Sequence, residues 1–171
     1  MRILSILILC SATIATSTLA ETVKTLGSGA DAAPVNSKMV SAQEPDTLVK
    51  ALQDYGVAAT LEVDDVGDPV IRTKIAGANS SVYFYGCDAA ADCKTVSFGT
   101  GFDLGEPFAL DKANEWNAKK RFTKSYVSDT GAARLEMDVN LIAGGVSADS
   151  FADTIDWWDY SVSEYKTFIG W

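Results

Sequence analysis

The chain has 171 residues, with 23 acidic and 14 basic side chains, a net charge of −9 and no histidine. This negative charge repels phosphates and anionic lipid headgroups, so nucleic acids and anionic membrane surfaces are not expected as partners. Without histidine, the usual serine and cysteine triads, histidine-ligated zinc sites and the most common general base are excluded. We therefore expect no catalytic residue, no metal and no cofactor.

Residues 1–20 are predicted to form a secretory signal peptide. Arg2 precedes a short apolar core, and small residues end the segment at Ala20, before Glu21. A short core without a charged stop flank is typical of a cleavable leader rather than a membrane span. We expect cleavage near Ala20 and a periplasmic or secreted product. No later stretch reaches the roughly 20 apolar residues of a membrane helix, so no stable membrane anchor is expected.

Cys87 and Cys93 are the only cysteines that follow the predicted leader. An even number of cysteines in an exported chain favours a disulfide, and the five residues between them suit a hairpin loop. A redox pair normally has two intervening residues, and a metal site needs further ligands that histidine would ordinarily supply. The sequence therefore favours a structural disulfide.

The first predicted elements follow a polar arm. Residues 21–43 are rich in Ala, Ser, Gly and Thr with little periodicity, which is typical of a flexible arm or linker. The domain is expected to span residues 44–171 and to begin with an amphipathic helix from Pro45 to Gly56, because proline suits the first helical turn and glycine the end. Alternating apolar and polar residues then predict two hairpins, formed by residues 57–63, 70–75, 82–85 and 95–102.

A short polar helix is predicted next, at residues 112–120, and it holds Trp116. Residues 122–127 and 132–140 form a further hairpin, whose second strand alternates apolar and charged residues so that one face is buried and the other wet. Antiparallel hairpins with helices on one face predict an α+β domain. We expect a sheet of five to six strands with N-terminal, middle and long C-terminal helices.

The C-terminal helix, opened by Ser147, is the longest predicted element. Six apolar residues at steps of four and three share a narrow arc that is expected to pack on the sheet: Phe151, Ile155, Trp158, Val162, Tyr165 and Ile169. Four aromatic residues share a separate arc: Trp157, Tyr160, Phe168 and Trp171. Clustered aromatics mark a partner or dimer surface if they are exposed, whereas the arm or the first helix would cover them otherwise. Both interpretations stay open, and this arc is the candidate partner surface.

Several segments together resemble one bacterial family. They are the Tyr85–Cys87 loop, Asn114-Glu115-Trp116-Asn117, the strand Leu135–Val139, Gly144-Gly145-Val146 and Trp157-Trp158. In this order, over about residues 46–169, they are similar to the YbjN domain family. The resemblance implies a fold like that of type III secretion chaperones, a twisted antiparallel sheet with flanking helices, and a role as a sensory transduction regulator. It implies no catalytic residue. The leader and the paired cysteines depart from the better known cytoplasmic members.

The expected function is therefore binding of a protein or peptide, or self-association as a dimer, in the cell envelope. One alternative is a carrier for a small apolar ligand, held by Tyr83, Tyr85 and Phe98 or by Trp116. A less favoured alternative is a carboxylate-dependent hydrolase. Its candidate carboxylates are Asp64, Asp65 and Asp68, Glu136 and Asp138, and Asp153, Asp156 and Asp159.

Overall fold

A computed structural model describes residues 39–171. The predicted signal peptide and residues 21–38 of the predicted arm lie outside the described residues. The helices of the described part are α1 (Pro45–Tyr55), α2 (Leu110–Lys119) and α3 (Ala148–Ile169). Its strands are β1 (Met39–Val40), β2 (Ala59–Val63), β3 (Pro69–Ile75), β4 (Ala78–Tyr85), β5 (Thr95–Phe102), β6 (Lys124–Val127), β7 (Ala133–Asn140) and β8 (Val146–Ser147).

Six of these strands form one antiparallel sheet in the order β2-β3-β4-β5-β7-β6. Hairpins join the neighbouring strands from β2 to β5 directly. Helix α2 follows β5 in the chain, and β6 then pairs with the outer side of β7, so β7 lies between β5 and β6 in the sheet. The short strands β1 and β8 pair antiparallel in a second sheet. The predicted α+β class, with helices at the beginning, middle and end, is confirmed.

The two faces of the sheet differ in polarity. Ile71, Val82, Phe98 and Met137 are cross-strand neighbours in one row, and all four are buried under the helices. The adjacent row on the opposite face contains Arg72, Ser81, Gly99 and Glu136. The alternation of side chains along each strand thus gives one apolar face for the core and one polar face.

Helix α3 supplies the main cover of the apolar face. Ser147 caps its start, because the Ser147 Oγ accepts a hydrogen bond from the Ser150 N–H at 3.2 Å. The predicted arc is confirmed: Phe151, Ile155, Trp158, Val162 and Tyr165 are fully buried, and Ile169 is partly buried against the core. The ring of Phe98 lies 5.7 Å from that of Trp158, and the ring of Phe102 lies 5.9 Å from that of Tyr165.

The last residues of the predicted arm pack against the domain. Val40 is 2% exposed, and Ala42 is fully buried. Strand β1 crosses so close to Gly145 that a Cβ there would lie 2.0 Å from the Val40 carbonyl oxygen, and the φ of Gly145 is +90°. Both facts require glycine at this position. Among the described residues, packing therefore includes β1. The sequence does not indicate this strand, because two residues are too few to show a periodicity.

The Asn-Glu-Trp-Asn segment has a structural role in α2. The Trp116 ring is buried, and its Nε1 donates to Thr123 Oγ1 at 3.1 Å. The Asn117 amide makes two bonds to the backbone of Ser125 in β6: its Oδ1 accepts from the Ser125 N–H at 2.7 Å, and its Nδ2 donates to the Ser125 carbonyl at 3.0 Å. Asn117 therefore replaces a neighbouring strand at this edge of the sheet.

Candidate functional site

Cys87 and Cys93 form a disulfide across the loop between β4 and β5, with their Cα atoms 3.8 Å apart. Within the loop, Asp88 and Ala91 exchange two backbone hydrogen bonds of 2.7 and 2.9 Å. Cys93 is 1% exposed and belongs to the core cluster. The bond therefore closes a tight turn on a packed strand end. Among the described residues, no helix combines the length and the apolar character needed to cross a membrane.

The candidate partner arc of α3 separates into two pairs of residues with different surroundings. Trp157 and Tyr160, in the middle of the helix, are 40% and 54% exposed, and their rings lie 6.1 Å apart at right angles. Phe168 and Trp171 lie at the C-terminal end of the arc, where other elements of the chain contact them. The structure does not present the four residues as one continuous exposed surface.

The C-terminal pair is held by contacts within the domain. The ring of Phe168 lies 5.4 Å from the buried Trp116 ring of α2, and the Lys112 Nζ lies 5.6 Å from its centroid. Trp171 is 55% exposed, but its ring packs edge-on against Phe102 at 4.9 Å. For these two residues the intramolecular interpretation describes the contacts, and α2 is the element that covers Phe168.

A third aromatic ring joins the central pair. Phe122 is 52% exposed, and its ring lies 4.9 Å from that of Trp157. The Arg121 guanidinium lies 4.8 Å from the centroid of Phe122. We call Phe122, Trp157 and Tyr160 the α3 patch. The local pattern predicts Phe122 in a strand and does not associate it with this surface, because a contact with a residue 35 positions away leaves no local periodicity.

Phe122 also has an unusual backbone. Its φ is +66°, in the left-handed region that a bulky side chain rarely adopts. Such a conformation costs about 1–2 kcal/mol relative to an ordinary one. Strained residues of this kind concentrate at functional sites, where the surrounding structure maintains them. In this conformation the Phe122 ring is half exposed beside Trp157.

Three depressions meet at the α3 patch, and Trp157 lines all of them. The first has a volume of about 370 Å3 and is lined by Asp153, Asp156, Trp157 and Tyr160. The second, of about 260 Å3, lies between Trp157 and β7, and the third, of about 170 Å3, lies between Trp157 and the end of α2. The surface of the α3 patch therefore has depressions that a partner's side chains can enter.

The charges beside the patch differ in sign. Asp153 and Asp156 lie on one side, whereas Lys119, Lys120 and Arg121 lie on the side of α2. Lys120 is engaged with Glu164 at 3.0 Å. An apolar centre with acidic and basic borders is the arrangement of a typical protein interface, in which the centre supplies affinity and the charged rim supplies orientation.

One acidic residue of this border also holds α1 against α3. The Tyr55 hydroxyl of α1 donates a hydrogen bond to the Asp156 carboxylate. This bond, together with desolvation and the negative charges of Asp156 and Asp159, raises the pKa of Tyr55 to about 12. The neutral phenol is therefore the form that the folded protein favours.

The carboxylates considered for hydrolysis are placed differently from a glycosidase pair. Glu136 and Asp138 lie on the polar face of the sheet, and the Lys124 Nζ lies 3.2 and 3.0 Å from them. Partial burial opposes ionisation of Asp138, but the nearby Ser97 hydroxyl and the Lys124 ammonium hold the pKa of its carboxyl below the ordinary value. A general acid needs a raised pKa, so this arrangement favours an ion pair over acid–base catalysis.

The acidic turn after β2 satisfies its own backbone. The Asp64 Oδ1 accepts hydrogen bonds from the N–H groups of Val66 and Asp68 at 3.0 and 2.9 Å. Such a bond is the ordinary role of aspartate in a turn. Within residues 39–171, no group of three or more potential ligand side chains is arranged to hold a metal ion.

The residues considered for an apolar ligand do not meet in one cavity. Phe98 is fully buried on the apolar face of the sheet, and Trp116 is 1% exposed under α3. Tyr83 pairs with Ser97 rather than with Phe98, so Tyr83 and Tyr85 point to the opposite, polar face. The sheet itself therefore separates the proposed walls of the carrier site.

Residues 44–171 match the model of the YbjN family, which is described as "Putative bacterial sensory transduction regulator". No curated protein matches the chain. The matched range begins one residue before α1 and includes α3 to its end, so it covers the α3 patch, the disulfide and the whole six-stranded sheet. Since the match extends over well over half of the sequence, this protein belongs to the YbjN family.

Proposed function

We propose that this protein is an exported, non-enzymatic binding module of the cell envelope, and that the α3 patch is its contact surface for a protein or peptide. The observation that carries the proposal is the exposed Trp157, which lines three depressions and contacts the strained Phe122. Aromatic residues of this kind provide most of the binding energy in protein interfaces. The family description as a regulator supports binding as the mode of action.

Export is supported by the leader-like residues 1–20 and by the Cys87–Cys93 disulfide. Disulfides persist in oxidising compartments and are rare in the reducing cytosol. After cells are quenched with acid and the protein is unfolded, we expect Cys87 and Cys93 to resist thiol alkylation until a reductant is added. A version that lacks residues 2–20 is the matched control, and its cysteines should be alkylated under the same unfolding conditions without a reductant. Free thiols in the complete protein would contradict export.

The contact surface is tested by site-specific photocrosslinking in cells. A photoreactive phenylalanine analogue at position 157 should yield a discrete adduct with a partner protein. The same analogue at Ile142 is the matched control and should yield none, because Ile142 is 54% exposed and lines a different depression, together with Asp88 and Lys94. Equal adducts at both positions, or none at position 157, would refute the α3 patch as the contact surface.

Two variants that truncate exposed rings test the contact more directly. Trp157→Ala and Tyr160→Ala remove the exposed rings without entering the core, so each should keep the folded state while the yield of adduct from an analogue at Phe122 falls. An adduct that forms with undiminished yield in both variants would show that these rings do not contact the partner.

A further inference from the structure

Strand β2 forms one edge of the six-stranded sheet, and the direction of its backbone groups follows from two hydrogen bonds. The Asp64 N–H donates to the Asp68 carbonyl across the turn, and Thr73 Oγ1 of β3 donates to the Ala58 carbonyl. Backbone groups of successive strand residues point to opposite sides in the plane of the sheet. The backbone N–H and carbonyl groups of the even-numbered residues of this strand therefore face β3, and those of Ala59, Leu61 and Val63 face away from it.

The outward groups are mostly open. The Ala59 carbonyl accepts a bond from the Gln53 Nε2 at 3.3 Å. For Leu61 and Val63, no residue between 39 and 171 provides an outer hydrogen-bond partner. The Leu61 and Val63 side chains are 39% and 69% exposed, and Val66 in the following turn is 83% exposed. An open edge with exposed apolar side chains is a template for an additional strand.

The other edge of the same sheet is partly covered. In β6, the Ser128 N–H donates to the Ala132 carbonyl, so Ser125 is one of the residues that face outward. Its N–H and carbonyl are both bonded by the Asn117 amide. Asn117 covers one outward position of β6, whereas β2 has no corresponding side chain at Leu61 or Val63 in the described part of the chain.

The charge of the open edge determines which occupant fits. Glu62 lies on the polar face, where Arg72 of β3 pairs with it at 3.3 Å. Asp64, Asp65 and Asp68 follow in the turn, and none of the three forms an ion pair with a residue between 39 and 171. A second copy of this chain would bring the same acidic turn and another net charge of −9. A basic segment is attracted to this edge, and its charges would lower the cost of association.

We propose that the β2 edge binds an extended segment of another protein in which apolar and basic residues alternate. The segment pairs with the backbone of Leu61 and Val63 as an added strand, its apolar side chains lie beside those of Leu61 and Val63, and its basic side chains lie on the face of Glu62. This second binding site is separate from the α3 patch and does not depend on it.

The test is a titration of the isotopically labelled exported protein, observed by NMR, with a capped octapeptide of alternating valine and lysine. The control peptide has four valines followed by four lysines, so its charge and composition are identical. The amides of Leu61 and Val63 should shift saturably and become protected from hydrogen exchange. The alternating peptide should bind at least about tenfold more tightly than the block peptide, a difference that pairing rather than charge must supply.

Two variants identify the backbone as the contact. Leu61→Pro removes an N–H that faces away from β3, a position at which an edge strand tolerates proline, and it should abolish binding. Leu61→Thr keeps the N–H and should retain binding. If Leu61→Pro does not fold, the protection of the Leu61 and Val63 amides in the original protein still decides the question.

Three results would overturn the proposal. Equal affinity for the block peptide would mean that charge alone attracts the peptide. Shifts centred on Trp157 would place the peptide on the α3 patch. A dimeric mass with Leu61 and Val63 amides protected before any peptide is added would mean that a second copy occupies the edge. Failure of the photocrosslinking at position 157 leaves this proposal intact, since the two sites are distinct.

Discussion

The two edges of the main sheet have the same backbone chemistry and different neighbours. At β6, the Asn117 amide bonds both backbone groups of Ser125. At β2, the described residues leave the outward groups of Leu61 and Val63 open. The difference arises from the position of α2, which lies beside β6 and extends a side chain to it. One residue of a neighbouring helix therefore covers one outward position of the β6 edge.

The same contrast recurs along the outer arc of α3. Trp116, also from α2, contacts Phe168 at 5.4 Å, whereas Trp157 and Tyr160 lie beyond its cover and remain exposed. Both the partly covered edge and the covered half of the arc depend on the Asn-Glu-Trp-Asn segment of α2. Both open surfaces, β2 and the α3 patch, are the sites proposed for partners. Four measurements test how far these covered and open regions differ.

The largest expected difference is between the two halves of the arc. Phe168→Ala removes a ring that packs on Trp116, so the free energy of unfolding should fall by about 2 kcal/mol. Trp157→Ala removes a larger ring that is 40% exposed, and the loss should stay below about 1 kcal/mol. Urea unfolding of both variants measures the two values. Equal losses would show that the arc is uniformly covered.

The partly covered edge is tested at Asn117. In Asn117→Ala the Ser125 N–H and the Ser125 carbonyl each lose the hydrogen bond to the Asn117 amide. The free energy of unfolding should therefore fall by about 1.5 kcal/mol. Asn114→Ala is the matched control, because Asn114 lies on the same helix, is exposed, and gains the same helix propensity. If the two variants unfold at the same urea concentration, the Asn117 bonds do not stabilise the β6 edge.

The strain at Phe122 is tested by a pair of substitutions that both remove the ring. Phe122→Gly relieves the positive φ, whereas Phe122→Ala keeps the penalty, so the glycine variant should be more stable by about 1 kcal/mol. Thermal and urea unfolding both report this difference. An alanine variant as stable as the glycine variant would mean that the backbone at this position is not strained in solution.

The smallest expected effect is a pH dependence at the α1–α3 contact. The folded state raises the pKa of Tyr55 to about 12, above an unfolded value of about 10. The contribution of this contact is therefore complete below pH about 10 and is lost as the pH rises towards about 12. Tyr55→Phe should lose less stability than the original protein between pH about 10 and about 12. Parallel curves for the two proteins would contradict a role for the Tyr55 hydroxyl.

Much of the fold follows from local patterns. The steps of three and four in α3 identify its buried arc, because a helix brings those positions to one side. Alternation along β7 identifies its buried face in the same way. Boundaries shift by a few residues: β4 begins at Ala78 rather than at residue 82, and α2 begins at Leu110 rather than at residue 112. These shifts occur where small or polar residues carry little periodicity.

Tertiary contacts divide the candidate partner arc in a way that the sequence does not indicate. Phe168 packs on Trp116, and Trp171 contacts Phe102 although it is 55% exposed. Phe122 lies outside the predicted arc, and its ring contacts Trp157. The helical period places four rings on one arc, but it contains no information about which other element approaches each of them.

The amino-acid sequence determined the helix and strand periods, the buried side of α3, the proximity of the two cysteines and the acidity of the β2 turn, because each depends on residues close together along the chain. Only the tertiary structure decided which edge of the sheet Asn117 partly covers, which rings Trp116 covers, and which glycine lies under Val40. These depend on contacts between residues far apart in sequence, whose distances are fixed by the packing of whole elements.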